Sequence, residues 1–288
     1  MRRLLIVGCG DVALRALPRL AGRYRVYALS HSPHRFDALR ALGVTPLSGD
    51  LDRPETLDVL RGLAQDVLHF APPPPTGDRD TRTAHLLAAL AKARSLPQQL
   101  VYISTTGVYG NHDGGWVCET TPLMPQTDRA CRRVDAERQL REWGRRNRVR
   151  VSILRAPGIY AADRLPVARL RAGTPVLRAE DDGYTNHIHA DDLARTAVAA
   201  LRFAPPGRAY NVVDDSCLKM GEYFDLVADR CGLPRPPRIA RAEAAARMPP
   251  ALLSFMGESR RLSNARLKRE LRTGLVYPTV RDGIAGLP

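Results

Sequence analysis

The stretch Leu4-Leu5-Ile6-Val7-Gly8-Cys9-Gly10-Asp11-Val12-Ala13 decides the fold. An apolar run of strand length meets a Gly-x-Gly-x-x-Ala turn, and a helical pattern follows from Val12 to Leu20. Strand, turn and helix in that succession are what dinucleotide binding requires. Gly8 permits the tight turn. Gly10 has no Cβ, so a pyrophosphate can approach the backbone. Ala13 is small enough for the helix to lie close on the strand. Asp11, Val12 and Ala13 then turn unpaired amides and the positive end of the helix dipole toward the phosphates. Pro18 is expected to kink or shorten this helix.

Outward from this start, strands and helices alternate. Arg25–Ser30 reads as the second strand, followed by a helix from Pro33 to Leu42. An NAD-type site ends that strand in an acid that binds the ribose hydroxyls. Ser30 stands there instead, with Arg35 close behind, so no carboxylate repels a 2′-phosphate and the pattern favours NADP over NAD; equally, these residues suit a polar turn capping the helix. Val44–Ser48 is the third strand, ending in Gly49-Asp50-Leu51. Asp50 is placed to accept from an adenine amino group, and Asp52 is an N-cap candidate for a helix opening at Pro54. Gln65–Ala71 is the fourth strand, then a rigid Pro72–Pro75 segment, a helix from about Asp80 to Arg94, and a fifth strand Gln99–Ser104. This alternation implies a parallel, doubly wound α/β sheet of Rossmann type.

Composition narrows the class. The 288 residues carry a net charge of +14, and 44% are apolar. No apolar run approaches the ~18 residues of a membrane span. The apolar part of the N-terminus is too short for a signal sequence of ~7–15 apolar residues, so it reads as the first buried strand of a cytoplasmic protein. Only Lys92, Lys219 and Lys268 among the 44 basic residues are lysines. The basic residues are spread along the chain, which argues against nucleic acid and for a small anionic ligand such as a dinucleotide or nucleotide sugar. The five cysteines form no CxxC and no even framework, fitting a reducing compartment without structural disulfides or zinc. His187-x-His189 with Asp191-Asp192 has a metal-like look, but a helix start capped by Asp191 or Asp192 accounts for it better.

Val101-Tyr-Ile-Ser104-Thr105-Thr106-Gly107-Val108-Tyr109-Gly110 is the most specific string. It resembles the end of strand five in the extended short-chain dehydrogenases/reductases, the group holding the nucleotide-sugar epimerases and dehydratases. Further matches follow in order: Gly49-Asp50-Leu51, Leu154-Arg155-Ala-Pro157-Gly158-Ile-Tyr160, Ile188-His189-Ala-Asp191-Asp192-Leu193-Ala194 and Tyr210-Asn211-Val212. The resemblance implies a dinucleotide-binding domain over residues 1–155. A mainly substrate-binding part covers 156–288, with residues about 185–215 returning to the first domain. It implies a dinucleotide lying across the strand C-termini, bordered by Ala71 and Pro157, with substrate entering between the two parts. Family members often dimerise through the helices bearing their active-site Tyr-x-x-x-Lys pair and its neighbour, which leaves a homodimer open.

The departures matter as much. Thr105 matches the family's active-site Ser/Thr. Registering the Ala136-Glu137 end of the next helix on the family pattern puts Arg129 at the Tyr position and Arg133 at the Lys position, four apart and so on one face. Arg133 retains the charge and the donors for ribose hydroxyls. Arg129 cannot donate a proton as Tyr does, because guanidinium stays charged above pH ~12. Three readings stay open: proton transfer by Tyr109, Tyr160, His112 or Tyr184; an electrophilic Arg129 that binds an oxyanion or phosphate; or a non-catalytic sensor of the dinucleotide. The basic run Ser259–Leu267 fits either the cleft mouth or a docking turn.

Overall fold

The computed structural model describes residues 1–248, 253 and 256–286. Its centre is a seven-stranded parallel sheet whose strands, numbered along the chain, are β1 (Arg2–Val7), β2 (Tyr24–Ser30), β3 (Thr45–Ser48), β4 (Asp66–His69), β5 (Gln99–Thr105), β6 (Arg150–Ala156) and β7 (Ala209–Asn211). The spatial order is 7-6-5-4-1-2-3. Ile6 pairs with Ala28 on one side and Leu68 on the other.

Both faces of the sheet are covered, which is why Leu4–Val7 of β1 is an unbroken buried apolar run and does not alternate. Leu4 and Ile6 face α1 (Asp11–Leu20) and the later helix Ala190–Phe203, packing with Ala13, Ala16, Ala194 and Ala197. Leu5 and Val7 face the helices Thr81–Ala91 and Asp128–Asn147 through Leu86, Leu90, Ala136 and Leu140. Small alanines on both α1 and Ala190–Phe203 let these two helices approach closely. Pro18 lies inside α1, which ends two residues later at Leu20, so the proline shortens the helix.

A separate apolar cluster, including Leu170, Val176, Phe224, Val227 and Ile239, holds the later segments together. Among the described residues, four two-stranded pairings lie outside the main sheet. In one, Trp116–Val117 runs parallel to Arg261–Leu262, so the basic run near residue 260 docks on the loop that follows β5.

Some local expectations differ in the structure. The segment after β2 opens as a 3-10 turn, Pro33–Arg35, and becomes α-helical only over Phe36–Ala41. The segment opened by Pro54 is likewise a 3-10 helix, Pro54–Leu60, and Arg53, not Asp52, is its cap residue. The Asp52 carboxylate binds Arg82 instead, at 2.8 and 2.6 Å. Neither Asp191 nor Asp192 caps Ala190–Phe203: His189 does, its Nδ1 accepting from the Asp191 amide at 3.2 Å. Asp191 is drawn to Arg15 at 2.8 Å, and Asp192 accepts from the amides of Val276 and Tyr277. The sequence around Ala242–Leu253 also reads as helical; Arg241–Arg247 is helical in the structure, and 249–252 lie outside the described residues.

Candidate functional site

The turn after β1 has the form of a phosphate cradle. Gly8 sits at φ +86°, and a Cβ there would lie 2.5 Å from the Ala71 amide nitrogen. The position therefore accepts only glycine, and it sets β1 against the end of β4. Gly10 is the opposite case: a Cβ there would meet nothing within 4 Å. Its missing side chain leaves open space in front of α1, whose N-terminus no side chain caps. The orphan amides and the helix dipole at this end suit an anion.

Asp11 stands in the first turn, where a bare carboxylate would repel phosphate. Burial opposes its ionisation, but hydrogen bonds from Arg164 and Arg15, each 2.9 Å, hold its carboxyl below the usual range and neutralise its charge. Arg35 reaches back from beyond β2 to donate to the Cys9 carbonyl at 2.8 Å, so its guanidinium lies beside the glycine turn. Ser30 ends β2 and accepts from the Ser32 amide at 3.2 Å. Asp50 follows β3 and accepts from the Asp52 amide at 2.9 Å. Leu51 is buried, its carbonyl accepting from His85 Nδ1 at 2.7 Å. Ala71 donates its amide to Val7 at 2.9 Å. The structure thus brings Gly8, Gly10, Ala71 and Arg35 together and sets Ser30, Asp50 and Leu51 at the neighbouring strand ends.

A cavity of about 570 Å³ opens where β5, the helix Asp128–Asn147 and the later segments meet. Thr105, Arg129 and Pro157 line it, as do Arg164, Tyr184 and Arg260. The Thr105 hydroxyl accepts from the Gly107 amide at 3.3 Å and so caps the turn Thr106–Tyr109. Arg129 has no carboxylate or carbonyl partner among the described residues. Arg129 is exposed on the cavity wall, and partial desolvation, together with Arg133 and Arg132, pushes its pKa down. Such an unpaired cation attracts an anionic ligand.

Arg133 does not join Arg129 in lining the cavity. It turns toward β5 and donates to the Tyr102 hydroxyl at 2.8 Å and the Ile103 carbonyl at 2.7 Å. Of the four alternative proton carriers, Tyr109 and Tyr160 are core residues. Tyr109 is fully buried, donates to Asn211 and accepts from Arg155, both at 2.7 Å. Tyr160 is 1% exposed and packs edge-on against His189. His112 bonds the Tyr109 carbonyl and does not line the cavity. Tyr184 alone of the four lines it.

Sequence reasoning missed Asp182 and Glu258 on the cavity wall. Glu258 pairs with Arg260 at 2.7 Å. Asp182 accepts from the Gly221 amide at 2.6 Å while its other oxygen is buried without a partner, and burial raises its pKa. Neither residue belongs to a local motif, so no signal in the sequence pointed to them. No metal-binding cluster of His, Cys, Asp or Glu occurs among the described residues, and no described helix is long and apolar enough to cross a membrane.

A glycine turn before an uncapped helix, at the strand C-termini of a parallel sheet, is the arrangement of a dinucleotide-binding α/β protein, and the cavity beyond β5 lies at the same strand ends. The model of the NAD-dependent epimerase/dehydratase family matches residues 10–213. The chain belongs to that family.

A solved structure of a functionally unknown conserved protein from Silicibacter pomeroyi is 30% identical, covering 100% of this chain and 98% of that one, with a TM-score of 0.80. The fold is likewise that of UDP-glucuronic acid 4-epimerase from Bacillus cereus in complex with NAD, at 16% identity, 99% and 97% coverage and TM-score 0.77. It also matches dTDP-glucose 4,6-dehydratase from Bacillus anthracis in complex with NAD, at 16%, 99% and 94%, TM-score 0.77. Curated proteins give no significant sequence match.

Proposed function

We propose that this chain is an NAD(P)-dependent oxidoreductase of the epimerase/dehydratase type, acting on a nucleotide sugar or a similar anionic substrate. Residues 1–155 hold the dinucleotide, with Gly8, Gly10, Asp11, Val12 and Ala13 at the pyrophosphate. Asp50, Leu51, Ala71 and Pro157 border the cleft; the ribose role expected of Arg133 is not retained, because its guanidinium is taken up by Tyr102 and Ile103. Residues 156–288, apart from the segment around 185–215, complete the substrate side. Ser30 and Arg35 favour NADP, since Arg35 stands beside the turn with no carboxylate opposing a 2′-phosphate. When bound, the nicotinamide supplies hydride acceptance or donation.

The observation that carries the reading is Arg129. It lies in the cavity beside Thr105, at the position where the family places its tyrosine, and is unpaired among the described residues. It remains cationic across the working pH range, so it binds and polarises without exchanging a proton. Thr105 orients the substrate oxygen, and Arg129 holds a carboxylate, phosphate or developing oxyanion near it. The test is absorbance at 340 nm, with nuclear magnetic resonance of the products, on NADP⁺-loaded protein given a panel of nucleotide sugars. Turnover of at least one, lost by tenfold or more in Arg129→Ala with dinucleotide binding intact, supports the reading. Turnover unchanged in Arg129→Ala removes Arg129 from the site.

A further inference from the structure

The cavity wall continues outward as a stack. Tyr184 lines the cavity. The guanidinium carbon of Arg261 lies 4.8 Å from the centre of the Tyr184 ring and 5.2 Å from that of Trp116. Trp116 is 64% exposed, although the next residue, Val117, is buried.

The frame is fixed on every side. Arg261 donates its amide to the Gly115 carbonyl at 2.9 Å and its Nε to the Gly114 carbonyl at 2.6 Å. The Tyr184 amide donates to the Ser259 hydroxyl at 2.9 Å, and the Ser259 carbonyl accepts from two amides of the 112–114 turn at 3.0 Å each. The backbone beside Trp116 is therefore held in place, and the indole presents a large bare surface that is linked to the cavity through Arg261 and Tyr184.

That arrangement selects a ligand. A cation over one face of an indole draws electron density from the ring. This weakens it as a partner for sugar C–H groups and favours stacking of a flat, polar heteroaromatic ring. The two terminal amino groups of Arg261 make no hydrogen bond to any described residue, so they are available to a phosphate oxygen.

We propose that Trp116, Arg261 and Tyr184 form a nucleotide-recognition platform at the cavity mouth, with the base of the substrate stacked on Trp116 and Arg261 donating to its phosphate. The proposal rests on reading the cavity as the site of a nucleotide-linked substrate, and it names the residues that choose the nucleotide.

The experiment uses the full chain with saturating NADP⁺ and takes UDP, UMP and glucose 1-phosphate as probes. The chain has two tryptophans, so Trp143→Phe leaves Trp116 as the sole reporter. The expected result is saturable quenching of Trp116 fluorescence by UDP and UMP and none by glucose 1-phosphate. By calorimetry, Trp116→Ala raises the Kd for UDP about tenfold, the scale of one base–aromatic stack. Trp116→Phe restores most of the affinity, and NADP⁺ binding stays within twofold in both variants.

Equal UDP affinity in the parent and Trp116→Ala overturns the platform. So does quenching by glucose 1-phosphate without quenching by UMP, which makes Trp116 a sugar contact. Failure of UDP and UMP to bind a protein that binds NADP⁺ overturns the platform and leaves the cofactor site standing. Failure of NADP⁺ itself to bind contradicts the proposed function, and the comparison of UDP affinities still decides the platform.

Discussion

Gly8 and Gly10 are two residues apart and do opposite things. A side chain at Gly8 strikes the backbone of Ala71, whereas one at Gly10 meets only empty space. Gly10→Ala should therefore fold with a melting temperature within about 1 °C of the parent, a surface-like change of small ΔΔG. It should nevertheless weaken dinucleotide binding at least tenfold; calorimetry with NADPH separates the two effects. The glycine motif made this pair legible in the sequence, because the turn geometry is local.

Asp214 was not legible, because its neighbours come from elsewhere in the chain. It is 4% exposed, with one oxygen accepting from the Ser216 amide at 2.9 Å and the other buried without a partner. Burial, then the charges of Asp215 and Asp192, push its pKa up to about 7. Its contribution to stability is complete below the unfolded pKa of about 4 and is lost as pH rises toward 7. Asp214→Asn, which keeps the acceptor for Ser216, should stabilise the protein at pH 8 by about 4 kcal/mol and leave it unchanged near pH 4. Thermal denaturation at the two pH values checks the sign; equal shifts at both would contradict the account.

At the scale of elements, β5, β6, β7 and the helix Asp128–Asn147 are joined by a buried polar network. Glu137 pairs with Arg155 at 2.7 Å, with the side chains 2% and 3% exposed, and also accepts from Ser104 at 2.7 Å. Arg155 donates onward to Tyr109, and Tyr109 to Asn211. This network supports the turn that carries Thr105. Glu137→Gln leaves Arg155 buried without a counterion and should cost about 3 kcal/mol, since breaking one side of a buried pair strands the other charge. Chemical denaturation with an unchanged m-value is the expected reading.

The strands and long helices were readable because both faces of the sheet are buried and the central strands carry apolar runs such as Leu4–Val7 and Leu100–Ile103. The helix starts were less readable. Asp52 and Asp191 have the right chemistry for caps, but Arg82 lies 30 residues away from the first and Arg15 lies 176 from the second, and these arginines compete for the carboxylates. A cap is decided by such rivals, and local sequence does not contain them.

Across the whole molecule, the parallel sheet order 7-6-5-4-1-2-3 places the glycine turn and the strand-end residues of the proposed cofactor site on one edge. That much followed from the motifs taken in order. The cavity did not, because its wall is assembled from segments near 105, 129, 157, 184 and 260 that no spacing connects. The opposite fates of Arg129 and Arg133 show the same limit: helical spacing put them on one face, and packing against Tyr102 and Ile103 turned Arg133 away.

The central claim is that this chain binds a nicotinamide dinucleotide on the Gly8–Ala13 turn. Titration of the purified protein with NADPH and with NADH, followed by nicotinamide fluorescence, tests it most directly. The expected result is saturable binding of one dinucleotide per chain, tighter for NADPH, and its loss in Gly10→Ala. No saturable change with either dinucleotide would contradict it.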